Sequence, residues 1–555
     1  MNVRLVLLLA ILGTASAWSQ SADTVLVNGK VLTVDSQFSA RAAIAIRDGK
    51  ITAVGSNAEV RKLAGPKARV IDLQGHTVIP GLIDSHMHAI RAATTFVTEV
   101  NWIGAPSLTE ALRRVHEAAQ TMKPGAWLIV AGGWNEQQFQ EKRRPTQAEL
   151  VAAAPSNPVY IQLGYGWAVM TPAGFNLLHI ASDADLPPNA KLDRDANGKP
   201  TGGITGAQTA IVTLFDRLPR PTFDEQVEGT KKFFRELNRL GLTGVGDPGG
   251  NNVTPETYQA LLKIWQEHEL TIRVAYSLCG FTPGSEFEEY KNITQVLPMG
   301  FGDDMLRFNG VGERVTWAMN NNEKPTEAEK QKYYEIVKWA AEQRMSLTMH
   351  WTNDRSVDQL LSIFERVNRE LPVAGLRWSI AHLNNASPES LRRMKALGMG
   401  WTVQDEMYFG GENFVKQNGP EAARRVPPVE TAKELGVVVG AGTDAHRVAS
   451  YNPFTALQWF QDGKTVGGKA LRGPEETPSR AEALRLYTMG SAWFSHDENT
   501  RGSLEAGKFA DLAVLSKDYM TVPVDQIGGT ESLLTMVGGK VVYAAGPFAR
   551  WETKQ

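Results

Sequence analysis

A repeated alternation of helical and strand-like segments in the middle of the chain is the feature that most restricts the fold. Each of four helical patterns is followed by a short apolar run typical of a buried strand, and these runs end at His350, His382, Gln404 and Asp444. Apolar strands that alternate with helices predict a parallel sheet covered by helices. We expect an α/β fold with a TIM-like (β/α)8 barrel, and an open doubly wound sheet is the alternative.

Both ends of the chain show short strand patterns instead. Hairpin signals stand between apolar runs at Arg47-Asp48-Gly49-Lys50 and at Gly538-Gly539. Neither end has enough apolar residues for its own core, so we expect a composite β-sandwich built from residues 23–80 and 500–550. The barrel would then occupy residues 81–499. It would carry a large insertion at about 100–235, which is irregular from Asp183 to Gly206.

The N-terminus is typical of an exported protein. Arg4 precedes the apolar run Leu5 to Leu12, and Ala15-Ser16-Ala17 fits a cleavage site, so residues 1–17 are predicted to be a signal peptide. The single cysteine, Cys279, allows no intrachain disulfide. We expect a periplasmic or secreted protein with no membrane segment after cleavage. The 58 basic and 60 acidic residues give no sign of nucleic-acid binding.

Two histidines at the end of an apolar run point to a metal site. His86 and His88 are two residues apart, so on an extended strand their side chains lie on the same face. In a barrel of this type, functional groups gather at the carboxyl ends of the strands. His350, His382 and Asp444 would therefore meet the first pair. These nitrogen and oxygen ligands suit Zn²⁺, Mn²⁺, Fe²⁺ or Ni²⁺.

Three motifs resemble a known family. Pro80-Gly81-Leu82-Ile83-Asp84-Ser85-His86-Met87-His88 is similar to the opening signature of the metal-dependent amidohydrolase superfamily, and the segment from Gly502 to Leu512 is similar to its closing signature. Gly133-Trp134-Asn135-Glu136 resembles the insertion of the branch called amidohydrolase family 3. The similarity runs from about residue 23 to 545 and implies a barrel with a composite sandwich.

The resemblance also implies roles for individual residues. His86, His88 and Asp444 would bind a first divalent ion, and His350 and His382 would bind a second or orient the substrate. Asp444 and His382 would be the catalytic residues, with Asp444 moving a proton from a metal-activated water to the leaving group. Asp84 would support the ligands. We expect one or two divalent ions per chain, and zinc is the metal that we favour. Substrate contacts are assigned to three residues, Tyr165, Trp134 and His446.

The chain departs from the family pattern at three places, and two of them concern the bridge between two ions. Many relatives have a carboxylated lysine or an acid there, whereas this chain has Gly312 in one expected position and Gly206 in the other. Glu313 and Asp247 are the nearest substitutes, and ordinary loop or pairing roles are favoured for both. Tyr165 stands where the branch usually has a histidine. A mononuclear site, or a pair bridged only by hydroxide, is therefore expected.

The resulting hypothesis is an exported metal-dependent hydrolase that cleaves a carbon–nitrogen bond, of the amide type, in a small molecule. A deaminase, a cyclic-amide hydrolase or an ester hydrolase on the same barrel is the first alternative. A degenerate periplasmic binding protein or pseudoenzyme is the alternative of another class. The sequence is compatible with a homo-oligomer and does not identify the substrate.

Overall fold

The two ends of the chain form two sheets that share one apolar core. The computed structural model describes residues 21–552, so the predicted signal peptide lies outside the described residues. One sheet has the spatial order Lys50–Gly55, Ala43–Arg47, Ala22–Val27, Ala64–Asp72. The other sheet has the order Lys540–Ala544, Ser532–Val537, Leu512–Leu515, Thr77–Pro80, Lys30–Leu32, Ala40–Arg41.

The second sheet joins the two ends of the chain directly. Leu512–Leu515 pairs antiparallel with Thr77–Pro80, and Val514 stands opposite Val78. Apolar side chains from both sheets and both ends, such as Leu26, Val78 and Leu512, lie in one buried cluster. The C-terminal strands thus complete a layer that the N-terminal strands begin.

Eight parallel strands form the central part of the molecule. We number them β1–β8: Leu82–Asp84, Leu242–Asp247, Arg273–Leu278, Leu306–Val311, Thr348–Trp351, Ser379–His382, Gly400–Gln404 and Val438–Gly442. β1 to β4 form one four-stranded sheet and β5 to β8 form another. A single parallel bridge between Val311 and Leu347 links the two sheets at one side. At the other side the Ser85 amide donates to the Ala441 carbonyl at 3.0 Å.

Helices separate these strands, as the alternation predicts. The helix Glu327–Glu342 begins with a capping box in which Thr326 accepts from the Glu329 amide and the Glu329 side chain bonds back to Thr326. Its buried face includes Tyr333, Val337 and Ala340, at helical spacing. The other helices between strands are Ala89–Thr95, Phe223–Arg239, Gln259–Gln266, Glu286–Thr294, Asp358–Glu370, Pro388–Ala396, Glu406–Asn418 and Val429–Glu434. Pro453–Asp462 and Arg480–Arg485 follow β8.

The insertion after β1 has a sheet of its own. Its strands stand in the order Ala190–Arg194, Pro200–Gly206, Trp167–Met170, Val159–Leu163, Leu128–Val130. Its helices are Leu108–Thr121, Gln147–Ala153, Pro172–Leu177 and Gln208–Asp216. The stretch from Asp183 to Gly206 was expected to be irregular, and this is wrong. It contains an antiparallel strand pair, because a turn from Asp195 with Gly198 at φ +79° joins the two strands.

The helix Phe223–Arg239 packs against the start of the central part of the molecule. Most of this helix falls within the range of about 100–235 expected for the insertion. It packs on the helix Ala89–Thr95 and the segment that follows, with the rings of Phe233 and Phe96 5.2 Å apart. Cys279 is buried, in agreement with a small core residue. Within residues 21–552, every helix is too short or too polar to cross a membrane.

Candidate metal centre

The five predicted ligands come together beyond the carboxyl ends of β1, β5, β6 and β8. The His86 ring lies 5.5 Å from that of His88 and 5.1 Å from that of His382, and the His350 and His382 rings are 4.4 Å apart, all measured between centroids. Asp444 Oδ1 lies 2.9 Å from His88 Nε2 and 3.7 Å from His86 Nε2. The sequence therefore predicted the right residues to be neighbours.

A sixth residue, Glu313, lies at the centre of this cluster. Its Oε2 is 3.2 Å from His86 Nε2, 3.4 Å from His350 Nδ1 and 3.7 Å from His382 Nε2. Its Oε1 is 3.4 Å from His88 Nε2. The ordinary loop role favoured for Glu313 is thus wrong. With a buried carboxylate between the two sets of histidines, the expectation of a pair bridged only by hydroxide loses its basis. We call His86, His88, Glu313, His350, His382 and Asp444 the histidine cluster.

Local backbone geometry explains why the acid is at position 313 and not one residue earlier. A Cβ atom at Gly312 would lie 1.8 Å from the Pro248 carbonyl oxygen, so this position accepts no side chain. Glu313 follows Gly312 and lies two positions beyond Val311, the last residue of β4. Its place after a buried strand was the signal in the sequence, since the other ligands have the same kind of place.

The second proposed substitute, Asp247, does have an ordinary pairing role. Its carboxylate accepts from the amides of Ile90 at 2.7 Å and Gly249 at 2.8 Å. The Gly249 carbonyl in turn lies 2.5 Å from His88 Nδ1. A proton on Nδ1 leaves Nε2, the atom nearest Asp444, free to bind a metal ion.

Two ligand residues have unusual backbone conformations. His382 has φ +71° and Asp444 has φ +56°, in the left-handed region that costs non-glycine residues about 1–3 kcal/mol. Neighbouring groups fix both. The His382 amide donates to Gln404 Oε1, its carbonyl accepts from the Trp401 indole, and the Asp444 amide donates to the His86 carbonyl. Strand ends thus hold the ligands in a fixed arrangement.

Asp84 links the ends of β1 and β8, in the supporting place expected for it. It accepts from the His86 amide at 2.9 Å and from Thr443 Oγ1 at 2.8 Å. Burial raises the pKa of Asp84 to about 7. Burial also opposes ionisation of Glu313 and Asp444, but the surrounding histidines, His88 foremost, hold both carboxyl pKa values below their usual range.

The cluster fits a divalent cation. Nitrogen atoms of His86, His350 and His382 and Oε2 of Glu313 are buried without a hydrogen-bond partner among residues 21–552. Such atoms are costly to bury unless they are paired or bind an ion. Two overlapping triads have ligand atoms within 4.8 Å of one another, namely His86, His88, Asp444 and His86, Glu313, His382. All donor atoms are nitrogen or oxygen, which suits zinc and similar metals.

The three predicted substrate residues lie outside the cluster. The Trp134 indole donates to the Gln162 carbonyl at 2.7 Å, its ring stacks on Phe139, and one side of it lines a cleft. His446 Nε2 lies 2.8 Å from Glu99 Oε2. Tyr165 is half-buried and lies near the Arg447 guanidinium. Trp134 is therefore mainly a core residue of the insertion, and the other two face a different part of the molecule.

The cleft beside Trp134 comes near the cluster at Glu406, and none of the six cluster residues lines it. It lies between the insertion and the helix Glu406–Asn418, and its walls include Trp167, Phe409 and Glu406. The Glu406 carboxylate is 3.9 Å from His382 Nδ1 and accepts from Asn384. Sequence reasoning did not select Glu406, because nothing in its helical pattern separates it from a surface acid. A small molecule in this cleft would contact Glu406, the neighbour of the buried His382.

Most of the chain matches a known protein family. The family model described as "Amidohydrolase family", that of amidohydrolase family 3, matches residues 69–543. The chain belongs to the amidohydrolase family. The family resemblance and the enzyme class predicted from the motifs, a metal-dependent amidohydrolase, are thereby confirmed.

Relatives and solved structures agree with this family. The N-substituted formamide deformylase of Arthrobacter pascens is 26% identical over 547 residues, which cover 95% of this chain and 99% of that protein. An uncharacterized metal-dependent hydrolase from Pyrococcus horikoshii OT3 has a similar structure, with a TM-score of 0.66, 21% identity and coverage of 90% and 99% of the two chains. Atrazine chlorohydrolase of Arthrobacter aurescens TC1, solved with zinc, has a TM-score of 0.54 at 18% identity, covering 94% and 95%.

Proposed function

We propose that this amidohydrolase cleaves the carbon–nitrogen bond of a small N-substituted amide, such as a formamide, at a two-ion centre. The observation that carries the proposal is the place of Glu313, whose two oxygens face histidines from both halves of the cluster. His86, His88 and Asp444 would hold one ion, and His350 and His382 the other. Glu313 would bridge them. Zinc is the favoured ion.

A divalent ion in such a site polarises a carbonyl group and lowers the pKa of a water molecule to about 7. The protein's own residues would do the rest. Asp444, ionised and buried, accepts a proton from the attacking water and delivers it to the departing nitrogen. His382 lies in the cluster, with Nδ1 3.9 Å from the Glu406 carboxylate of the cleft wall, and it would orient the amide carbonyl.

Three further expectations belong to this proposal. The amide substrate class is supported by the likeness to the Arthrobacter deformylase along nearly the whole chain. Closure of β1 to β8 into a barrel is supported by the links Val311–Leu347 and Ser85–Ala441. Export is supported by the pattern of residues 1–17. Ring deamination is the first alternative, and a mononuclear site with a free His382 would favour it. Glu313 lies 3.7 Å from His382, so this histidine is not free of the other cluster residues.

The test combines metal content with activity. Elemental analysis of the purified chain should give about two divalent ions, and His86→Ala should lose metal and the hydrolysis of formanilide together. His116→Ala, which changes an exposed histidine of the insertion, is the matched control and should keep both. Full activity in a metal-free preparation contradicts the proposal. Ammonia release from adenine without amide cleavage would favour a deaminase, and tight binding without turnover would favour a pseudoenzyme.

A further inference from the structure

A second cavity lies apart from the histidine cluster. It is bounded by the helix Ala89–Thr95, the start of the helix Phe223–Arg239 and the loop after β8. Its lining includes Arg91, Glu99, Phe215 and Arg447, and none of the six cluster residues is part of that lining. We call it the arginine cavity.

The two arginines that line it are almost completely buried. Arg91 is 3% exposed and Arg447 is 1% exposed. Arg91 Nη1 donates to the Asn251 carbonyl at 3.0 Å, whereas its Nε has no hydrogen-bond partner among residues 21–552. Arg447 Nε and Nη1 also lack one within this range. The Arg447 guanidinium lies over the Phe215 ring at 3.6 Å, so one face is covered and its N–H edge remains to be satisfied.

The charges inside the cavity do not balance. Glu99, whose side chain is 9% exposed, is the least exposed acid of the lining, and Arg447 and Arg91 both carry a positive charge. Glu99 Oε2 lies 2.8 Å from His446 Nε2, and Glu99 Oε1 has no hydrogen-bond partner among residues 21–552. At the mouth, Asp216 and Arg220 are exposed and pair with each other. Within the lining, one carboxylate therefore faces two buried guanidinium groups, and buried charges are costly unless they are paired.

We propose that Arg91 and Arg447 bind the carboxylate of a small molecule in the arginine cavity. A carboxylate accepts the free N–H groups of a guanidinium fork and supplies the missing negative charge at once. The positions of the two arginines in the chain connect the cavity to the histidine cluster. Arg91 follows His88 by three residues, and Arg447 follows Asp444 by three, so the backbone that carries two cluster residues also carries both arginines.

The first experiment measures binding directly, and its outcome does not depend on the proposed amide hydrolysis. Acetate is titrated calorimetrically into the purified metal-loaded protein, into Arg447→Met and into His86→Ala. Arg447→Met should weaken acetate binding by about 30-fold or more, because it removes one partner of a buried charge pair. His86→Ala should keep the binding. Arg472→Met is the matched control, since Arg472 is a buried arginine with free N–H groups in another part of the chain.

Three results would overturn the proposal. One is the absence of acetate binding to the unchanged protein. Another is unchanged affinity in a folded Arg447→Met, with its fold checked by circular dichroism. The third is loss of binding in His86→Ala but not in Arg447→Met, which would place the acetate on the metal ions. Where Arg447→Met does not fold, Arg91→Met carries the same test.

The bound carboxylate could belong to the substrate itself or to a separate small acid. A second experiment distinguishes these two sources, and it rests on the proposed function. The ratio of kcat/KM for 4-formamidobenzoate to that for formanilide is measured in the unchanged protein and in Arg447→Met. A ratio that falls about tenfold or more assigns the site to the substrate's own carboxylate. An unchanged ratio with lost acetate binding assigns it to a separate small acid. If neither compound is hydrolysed, the proposed function is contradicted, but the calorimetric result still stands.

Discussion

The histidine cluster and the arginine cavity both leave buried polar atoms without partners, but the atoms are of opposite kinds. In the cluster they are ring nitrogens and a carboxylate oxygen, which can donate electron pairs to a cation. In the cavity they are mainly guanidinium N–H groups, which can only donate hydrogen bonds to an acceptor. Unpartnered buried atoms thus have opposite chemical meaning in the two places, and residues three positions apart in the chain belong to both.

The largest expected effect tests the cation half of this comparison. Glu313→Gln keeps the size of the side chain but removes the charge that faces four histidines. The variant should lose about one of two ions. We expect kcat/KM to fall at least about a thousandfold, since the metal contribution amounts to several kcal/mol. Elemental analysis and steady-state kinetics on the amide substrate measure both effects.

Asp247→Asn is the control for this variant. Asp247 is also buried but accepts only from backbone amides, so its loss should cost at most about 100-fold, as for a group that supports a ligand. The variant should keep both ions. Normal metal content and activity in Glu313→Gln would remove Glu313 from the centre and restore the view that the bridge is absent.

The contrast between these two acids also shows which site residues can be predicted from the sequence. His86, His88, His350, His382 and Asp444 were predictable because each follows a buried strand, and strand ends meet. Glu313 follows a strand as well, but a single acid in a loop usually has an ordinary role, so its position needed the packing of Gly312 against Pro248. The burial of Arg447 was harder still to predict from the sequence. Its burial depends on Phe215 and on the insertion, which share no periodic pattern with β8.

The next effect concerns a buried acid that has no opposite charge beside it. Asp84 accepts from a hydroxyl and from backbone amides, and burial raises its pKa to about 7 from 3.8 in the unfolded chain. Because the folded pKa is the higher one, the contribution of Asp84 to stability is complete below pH 3.8 and is lost as the pH rises through 7. The loss should be about 3–4 kcal/mol.

Denaturant unfolding of the metal-free protein from pH 4 to pH 8 measures this loss. Asp84→Asn, which stays neutral throughout, should lack the decline. Asp525→Asn, at an exposed position, should show the same decline as the unchanged protein. A decline of equal size in Asp84→Asn would show that ionisation of another group causes it.

The smallest effect tests the anion half of the comparison, where neutralising an acid should have the opposite sign. Glu99 shares the arginine cavity with the proposed carboxylate and repels it. Glu99→Gln should therefore tighten acetate binding about fivefold, which corresponds to about 1 kcal/mol of removed repulsion. Calorimetry on the folded variant measures it. Glu256→Gln, at the exposed mouth, should change the affinity less than about twofold because water screens that charge.

The sign of the Glu99 effect is what separates a binding site from a closed charge cluster. If Glu99 already satisfied the two arginines, its loss would leave them free to move apart, and acetate would bind more weakly or not at all. The unpartnered Arg447 Nε and Nη1, and the free Oε1 of Glu99, argue that the pairing inside the cavity is incomplete. Tighter binding in Glu99→Gln would then show that the cavity prefers an incoming anion, just as loss of metal in Glu313→Gln would show that the cluster prefers a cation.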